Sequence, residues 1–364
     1  MPIINKKYLD LTKSNTKVEI DLKQYKKNIK DVIKLAPNSK LMVIVKANGY
    51  GLGAIELAKT ALENGASYLG VARVSEAIEL RQNKITDPIL LLSEPKPEDI
   101  KHILENNITQ TIYTKSFATK LNNFNKKIKV HIKIDSGMGR LGITIDKIND
   151  FFIYISTLNN IEIEGIFTQF PCSDNTSSKH TQQQLNTFNT QISTLAKLGI
   201  KAPIIHAANS AGIFNYPKSH LNMVRFGIDS YTNIITIKSY ITQVKQLPAG
   251  SKISYNSTHT LNKESYVAII CCGYADGIPV ALSNKGQVII NSKKYPIIGR
   301  VCMDMTIVNL GNNPDNIAEG ATAIFCGKQN QEEITIHDIC KLTNRISYEI
   351  LCGIGPRVQR VYIS

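Results

Sequence analysis

Val43-Ile44-Val45-Lys46-Ala47-Asn48-Gly49-Tyr50-Gly51-Leu52-Gly53 is the stretch on which the reading of this chain turns. A strand-forming run that begins at Leu41 leads into a lysine. A turn-prone Asn-Gly pair, a tyrosine and two more glycines follow before a helical pattern resumes at Ala54. That order predicts a buried strand, a turn and a helix. A lysine at the mouth of a buried strand is costly unless something there needs an amine. Burial lowers a lysine pKa and frees the amine as a nucleophile for Schiff-base chemistry. Tyr50, four residues on, can turn its hydroxyl to the same pocket. The competing reading of these residues is a surface lysine beside an ordinary turn.

Working outward, short apolar runs alternate with amphipathic stretches from about residue 15 to 230. Strands are expected at Lys40–Lys46, Tyr68–Ala72, Pro88–Leu92, Thr109–Tyr113, Ile128–Ile134, Ile161–Thr168, Pro203–His206 and Asn222–Phe226. Helical patterns such as Ala54–Asn64, Ser75–Gln82, Pro97–Glu105, Lys147–Leu158 and Lys179–Leu198 lie between them. Eight βα-type units imply an α/β fold with a (β/α)8, TIM-like barrel; the runner-up, a doubly wound sheet, uses fewer units. After about Ser230, β-branched residues and Gly/Pro/Asn turns dominate, as in ITQVKQLPAGSKISY and GQVIINSKKYPIIGRVCMDMTIVNL, which predicts a mostly β C-terminal domain. The boundaries expected are 1–235 for the barrel, with residues 1–12 packing on the second domain, and 236–364 for the β-rich part. A barrel carries its chemistry at the C-terminal ends of its strands. Lys46, Arg140, His206 to Ser210, Arg225 and Gly227 all fall there.

The 364 residues are 43% apolar, enough for a core, and no run approaches the ~20 apolar residues of a membrane span. The opening MPIINKKYLDLTKSN lacks the apolar run of a secretory signal, and a cytoplasmic location is expected. Seven cysteines, an odd number with no paired C-x-x-C motifs, argue against a disulfide framework or a structural metal. The +14 charge raises a nucleic-acid reading, but the lysines are scattered and no basic-aromatic module appears. With eight arginines against 35 lysines, an arginine suggests a need for the planar fork. Arg140, Arg225 and Arg300 each sit within two residues of a glycine; structural ion pairs are the alternative for each.

In KVHIKIDSGMGRLG, Lys133 shares a strand face with His131 and Asp135 and points into the barrel, where it needs an anionic partner. The glycines let the backbone bend so that Arg140 returns towards the site, or they form an ordinary turn. HAANSAG puts Asn209 and Ser210 at a strand-to-helix junction. Such residues cap helices in any protein, and at a barrel mouth they also suit a phosphate. Gly227 and Ile228 of VRFGID can add backbone N–H groups, and Arg225 can reach a ring nitrogen. Tyr255 and Tyr274 in the β-rich part read as core tyrosines with satisfied hydroxyls. Cys302 reads as packing, having no nearby base.

VKANGYG, KIDSGMGRLG, HAANSAG, VRFGI, SYN, GYADG and GRVCMD, in that order and over essentially the full length, resemble the alanine racemase family. The resemblance implies a pyridoxal 5'-phosphate enzyme that interconverts L- and D-alanine by two bases, supplies D-alanine for peptidoglycan, and works as a homodimer with shared sites. It implies that Lys46 binds the cofactor covalently and that Tyr50, Ser210, Gly227 and Ile228 hold its phosphate. His206 and Asn209 belong to the same cofactor set. Arg225 would donate to the pyridine nitrogen and, with an arginine pKa above ~12, keep it an unprotonated acceptor. Tyr255 of the partner subunit would be the second acid/base. Arg140, Tyr274 and Met303 would position the substrate carboxylate, with Lys133 carbamylated beside Arg140. Four positions depart from the family pattern: Gln169 and Leu52 stand where histidines are common, Phe226 where a proline is, and Pro356 where a phosphate-binding tyrosine is. Three other classes compete: a pyridoxal-phosphate decarboxylase of the same plan, a cofactor-homeostasis protein lacking the β-rich domain, and a basic RNA-binding protein.

Overall fold

The computed structural model describes residues 15–364, so the expectation for residues 1–12 lies outside the described part. The chain divides into a barrel unit, residues 25–49 and 53–231, and a strand-rich unit, residues 15–24, 50–52 and 232–364.

After β1 (Lys17–Asp21), eight strands follow: β2 (Lys40–Ile44), β3 (Tyr68–Val71), β4 (Ile89–Leu91), β5 (Thr109–Ile112), β6 (Ile128–Asp135), β7 (Ile161–Phe167), β8 (Ile204–His206) and β9 (Met223–Phe226). Each pairs in parallel with the next, from β2 through to β9. β9 then pairs with β2, Val224 opposite Leu41, and closes the ring. That closure rules out the doubly wound sheet. Every residue of β3, β4 and β5 is buried. The apolar runs of β3 and β4 suit this position, because side chains fill the barrel on one face and helices cover the other, while β5 buries Thr109, Gln110 and Thr111. Helix Ala54–Glu63 turns Leu57, Ala58 and Ala61 inward, and helix Leu22–Leu35 buries Tyr25, Ile29 and Val32 at helical spacing. Tyr25 stacks on Tyr231, ring centroids 5.9 Å apart.

The strand-rich unit is built on β10 (Ile235–Leu247), which also pairs antiparallel with β1. Irregularities at Ile237/Lys238 and Ile241/Gln243 bend it, so it pairs in turn with β15 (Thr322–Gln329) and β11 (Ser265–Ile270). β12 (Gln287–Ile290), β13 (Lys293–Pro296) and β14 (Thr306–Gly311) extend these sheets, and β16 (Gln359–Ile363) runs parallel to β1. Ile253, Leu261, Val267, Ile269 and Ile298 form one of its cores. Among the described residues no helix is long and apolar enough to cross a membrane.

Candidate active site

Lys46 follows the end of β2, and the next four residues are all left-handed: Ala47, Asn48, Gly49 and Tyr50 have φ of 53°, 53°, 60° and 54°. Gly49 N–H donates to the Val45 carbonyl at 2.8 Å, closing one left-handed helical turn. Such a turn costs about 1–2 kcal/mol per non-glycine residue, so something must hold it. Asn48 accepts through its side-chain oxygen from Ala54 N–H (2.9 Å) and through its carbonyl from Gly53 N–H (2.8 Å). Glu76 accepts from Ala47 N–H at 2.7 Å, and its other oxygen from Ala72 and Arg73 N–H. Glu76 thereby ties the lysine turn to the loop after β3.

Arg225 stands on β9, beside β2, and is 3% exposed. One Nη1–H donates to His206 Nδ1 (3.0 Å), and Nη2 donates to the carbonyls of Thr168 (2.8 Å) and Ala207 (2.9 Å) and to Gln169 Oε1 (3.0 Å). Its Nε–H has no partner among the described residues. Burial lowers this guanidinium to about 9, below the value expected from sequence but still charged at neutral pH. Gln169 is thus a direct support of Arg225. Ser210 Oγ accepts from Gly227 N–H at 2.8 Å, joining the ends of β8 and β9 and leaving the hydroxyl hydrogen to donate. Ile228 opens the short turn Ile228–Tyr231, whose first N–H groups have no partner inside it. Asn209 caps the short helix after β8: it accepts from Gly212 N–H (3.1 Å) and Ser173 Oγ (2.6 Å) and donates to the Phe170 carbonyl (3.1 Å). His206 is fully buried, stacked on Phe167 with centroids 4.7 Å apart.

Lys133 points into the barrel as expected, with Nζ 5.4 Å from the centre of the Phe167 ring, but no carboxylate pairs with it among the described residues. Burial, then the positive charges of Arg140, Arg225 and Lys46, lowers its amine to about 8, with Asp135 only partly offsetting them. The described residues therefore do not supply the expected anionic partner. Arg140 is exposed, on a loop shaped by Asp135, which accepts from the N–H groups of Gly137, Met138, Gly139 and Arg140 at 2.8–3.2 Å. Burial would raise the Asp135 carboxyl, but those four donors hold it below its ordinary range.

In the strand-rich unit, Tyr255 and Tyr274 are not core residues. They are 69% and 44% exposed, and Met303 is 52% exposed. Their loops are joined: Ser254 Oγ donates to the Arg300 carbonyl (2.6 Å), Tyr274 N–H to the Cys302 carbonyl (2.9 Å) and Ala275 N–H to the Met303 carbonyl (3.0 Å). A Cβ on Gly273 would fall 2.3 Å from the Cys302 carbonyl oxygen, so only glycine admits this approach. Arg357 holds Asp276 through two hydrogen bonds (2.7 and 3.0 Å) and Asp304 at 2.7 Å, clamping the same pair of loops. Cys302 lies 3.3 Å from Ser254 Oγ. Tyr50 is buried in this unit, its ring tilted against Tyr348 at 5.8 Å. Leu52 is buried, its carbonyl accepting from Tyr362 OH, and Pro356 is exposed. Phe226 packs edge-on against Phe214.

The barrel unit thus gathers Lys46, Lys133, Arg140, His206, Ser210, Arg225 and Gly227. The strand-rich unit presents Tyr255, Tyr274 and Met303 on adjoining loops. Sequence reasoning missed Glu76 and Arg357. The glutamate at the third position of its helix was a usable signal for Glu76; nothing local marked Arg357.

The family described as "Alanine racemase, N-terminal domain" matches residues 20–233, and "Alanine racemase, C-terminal domain" matches 234–362. A protein named alanine racemase from Methanococcus maripaludis is 38% identical, covering 95% of this chain and 98% of that one. The solved alanine racemase of Clostridium difficile 630 superposes with a TM-score of 0.91 at 35% identity, covering 96% of both chains. An alanine racemase from Bartonella henselae, solved with covalently bound pyridoxal phosphate, superposes at 0.88 with 25% identity, covering 96% of this chain and all of that one.

Proposed function

The chain belongs to the alanine racemase family, isomerases that act on amino acids, and on that premise we propose that it interconverts L- and D-alanine with pyridoxal phosphate and two acid/base groups. The observation that carries the reading is Arg225: a buried guanidinium, on the strand next to Lys46, with Nε–H left over for an acceptor that the described residues do not provide. A pyridine nitrogen is such an acceptor, and Lys46 supplies the amine that the cofactor's aldehyde requires. Ser210, Gly227, Ile228 and Tyr50 would hold the phosphate; His206 and Asn209 support that cradle through Arg225 and the helix cap. Pyridoxal phosphate, when bound, contributes a π-system that spreads negative charge from the substrate α-carbon.

Racemisation removes a proton from one face of the α-carbon and returns one to the other, and a single base cannot reach both. Lys46 Nζ serves the D face and Tyr255 Oη, from a second copy of the chain, the L face. The exposure of Tyr255 supports that sharing. Arg140, Tyr274 and Met303 orient the substrate carboxylate. The Lys133 amine, uncharged at moderately alkaline pH, adds carbon dioxide with loss of a proton, and the resulting carbamate anion pairs with Arg140. The D-alanine formed would serve peptidoglycan.

The test is the absorbance spectrum of the purified protein with cofactor, together with chiral chromatography of alanine started from either enantiomer. Lys46→Ala should lose both covalent cofactor and racemisation. A Lys46→Ala protein that racemises normally would overturn the assignment, and release of amine and carbon dioxide would assign a decarboxylase instead.

A further inference from the structure

Arg225 is buried with no carboxylate against it; its partners are one imidazole nitrogen, one amide oxygen and two backbone carbonyls. A charge so placed needs a compensating one. The hydrogen bonds lead to it. Arginine only donates, so His206 Nδ1 must accept and its proton sits on Nε2. That Nε2 lies 2.8 Å from His131 Nδ1, which must accept in turn, leaving the His131 proton on Nε2. His131 Nε2 lies 3.3 Å from Glu164 Oε2. Glu164 also accepts from Tyr68 OH (2.5 Å) and Lys129 Nζ (2.9 Å).

We infer that Glu164, through His131 and His206, is the remote counter-charge of Arg225, and that this one-way chain of neutral imidazoles holds the guanidinium as a donor in one orientation. Every link is buried. A Cβ on Gly165 would fall 2.5 Å from His131 Nδ1 and Cε1, so that ring occupies the space a side chain would take. Burial keeps both imidazoles neutral, and Arg225 pushes His206 further that way. Burial alone would raise the Glu164 carboxyl, but the hydrogen bonds from His131, Tyr68 and Lys129 outweigh it and bring it to about 2, so it is ionised. Glu164 and His131 are positioning residues. Their effect on rate rests on the racemase reading; the direction of the chain does not.

The experiment is 15N NMR of histidine-labelled full-length protein, with and without pyridoxal phosphate. Both His131 and His206 should show protonated Nε2 and bare Nδ1 before cofactor is added. Either ring protonated at Nδ1 would overturn the proposal, and that measurement needs no variant. Glu164→Leu should leave both tautomers in place, since Arg225 fixes them from its own end, but should move the His131 Nε2–H proton upfield as its acceptor is lost, and lower kcat roughly tenfold with KM changed less than about twofold. Glu164→Gln, which keeps an acceptor oxygen, should restore that proton's downfield position. A His131 Nε2–H proton resonance that does not move in Glu164→Leu would refute the chain. Expected tautomers in a wild type that does not racemise would leave the chain standing and remove the functional reading.

Discussion

Lys133 shows what one side chain can report. Its folded pKa of about 8 lies below the 10.5 of a free lysine. Between those values the unfolded chain binds more protons, so stability rises with pH across that window. Below pH 8 the buried amine costs about 3 kcal/mol, and the penalty fades as pH climbs towards 10.5. Thermal melts in carbon-dioxide-free buffer should therefore rise from pH 8 to 10, and Lys133→Met should flatten the curve. Bicarbonate should remove most of the rise by converting the amine to an anion; identical curves with and without it would argue against the carbamate. At this scale the sequence was legible where chemistry is unusual: Lys46 after an apolar run, arginines in a lysine-rich chain. It placed His131 only on the strand face of Lys133 and was silent on Glu164, because an inward glutamate on a strand reads the same as one facing solvent until closure puts Tyr68, Lys129 and His131 around it.

Elements place these groups. The turn after β2 rests on Glu76, whose loss would leave Ala47 N–H unpaired. Glu76→Ala should cost about 1–2 kcal/mol in denaturant unfolding and lower turnover, the lysine being less well aimed. Arg357 does the corresponding work for the loops of Tyr274 and Met303. Arg357→Ala should raise KM for alanine more than it lowers kcat, since in the proposed site those loops would hold the substrate carboxylate and not the α-carbon; an unchanged KM would deny it that task. Strands were readable to within a residue or two because burial on both faces favours β-branched and apolar residues bounded by turn signals. The left-handed turn was not, since alanine and tyrosine carry no preference for positive φ and only Asn48 and Gly49 hint at it.

For the whole molecule, the proposal divides one active site between two chains. Lys46→Ala and Tyr255→Phe homodimers should both be inactive, yet mixing them under exchange should restore roughly a quarter of wild-type activity, because half the dimers then hold one intact site. No recovery would mean that each chain supplies both bases. The change of texture near residue 230 announced a barrel followed by strands. It could not announce that β1 lies between β10 and β16, a pairing of chain-distant segments with no local signature.

The run of positive φ after Lys46 bears on attempts to make this protein tolerate heat. A library screened for melting temperature alone should favour Ala47→Gly, which relieves about 1 kcal/mol of backbone strain. The same relief frees the neighbouring amine to wander, so the hardiest clones should be sluggish catalysts.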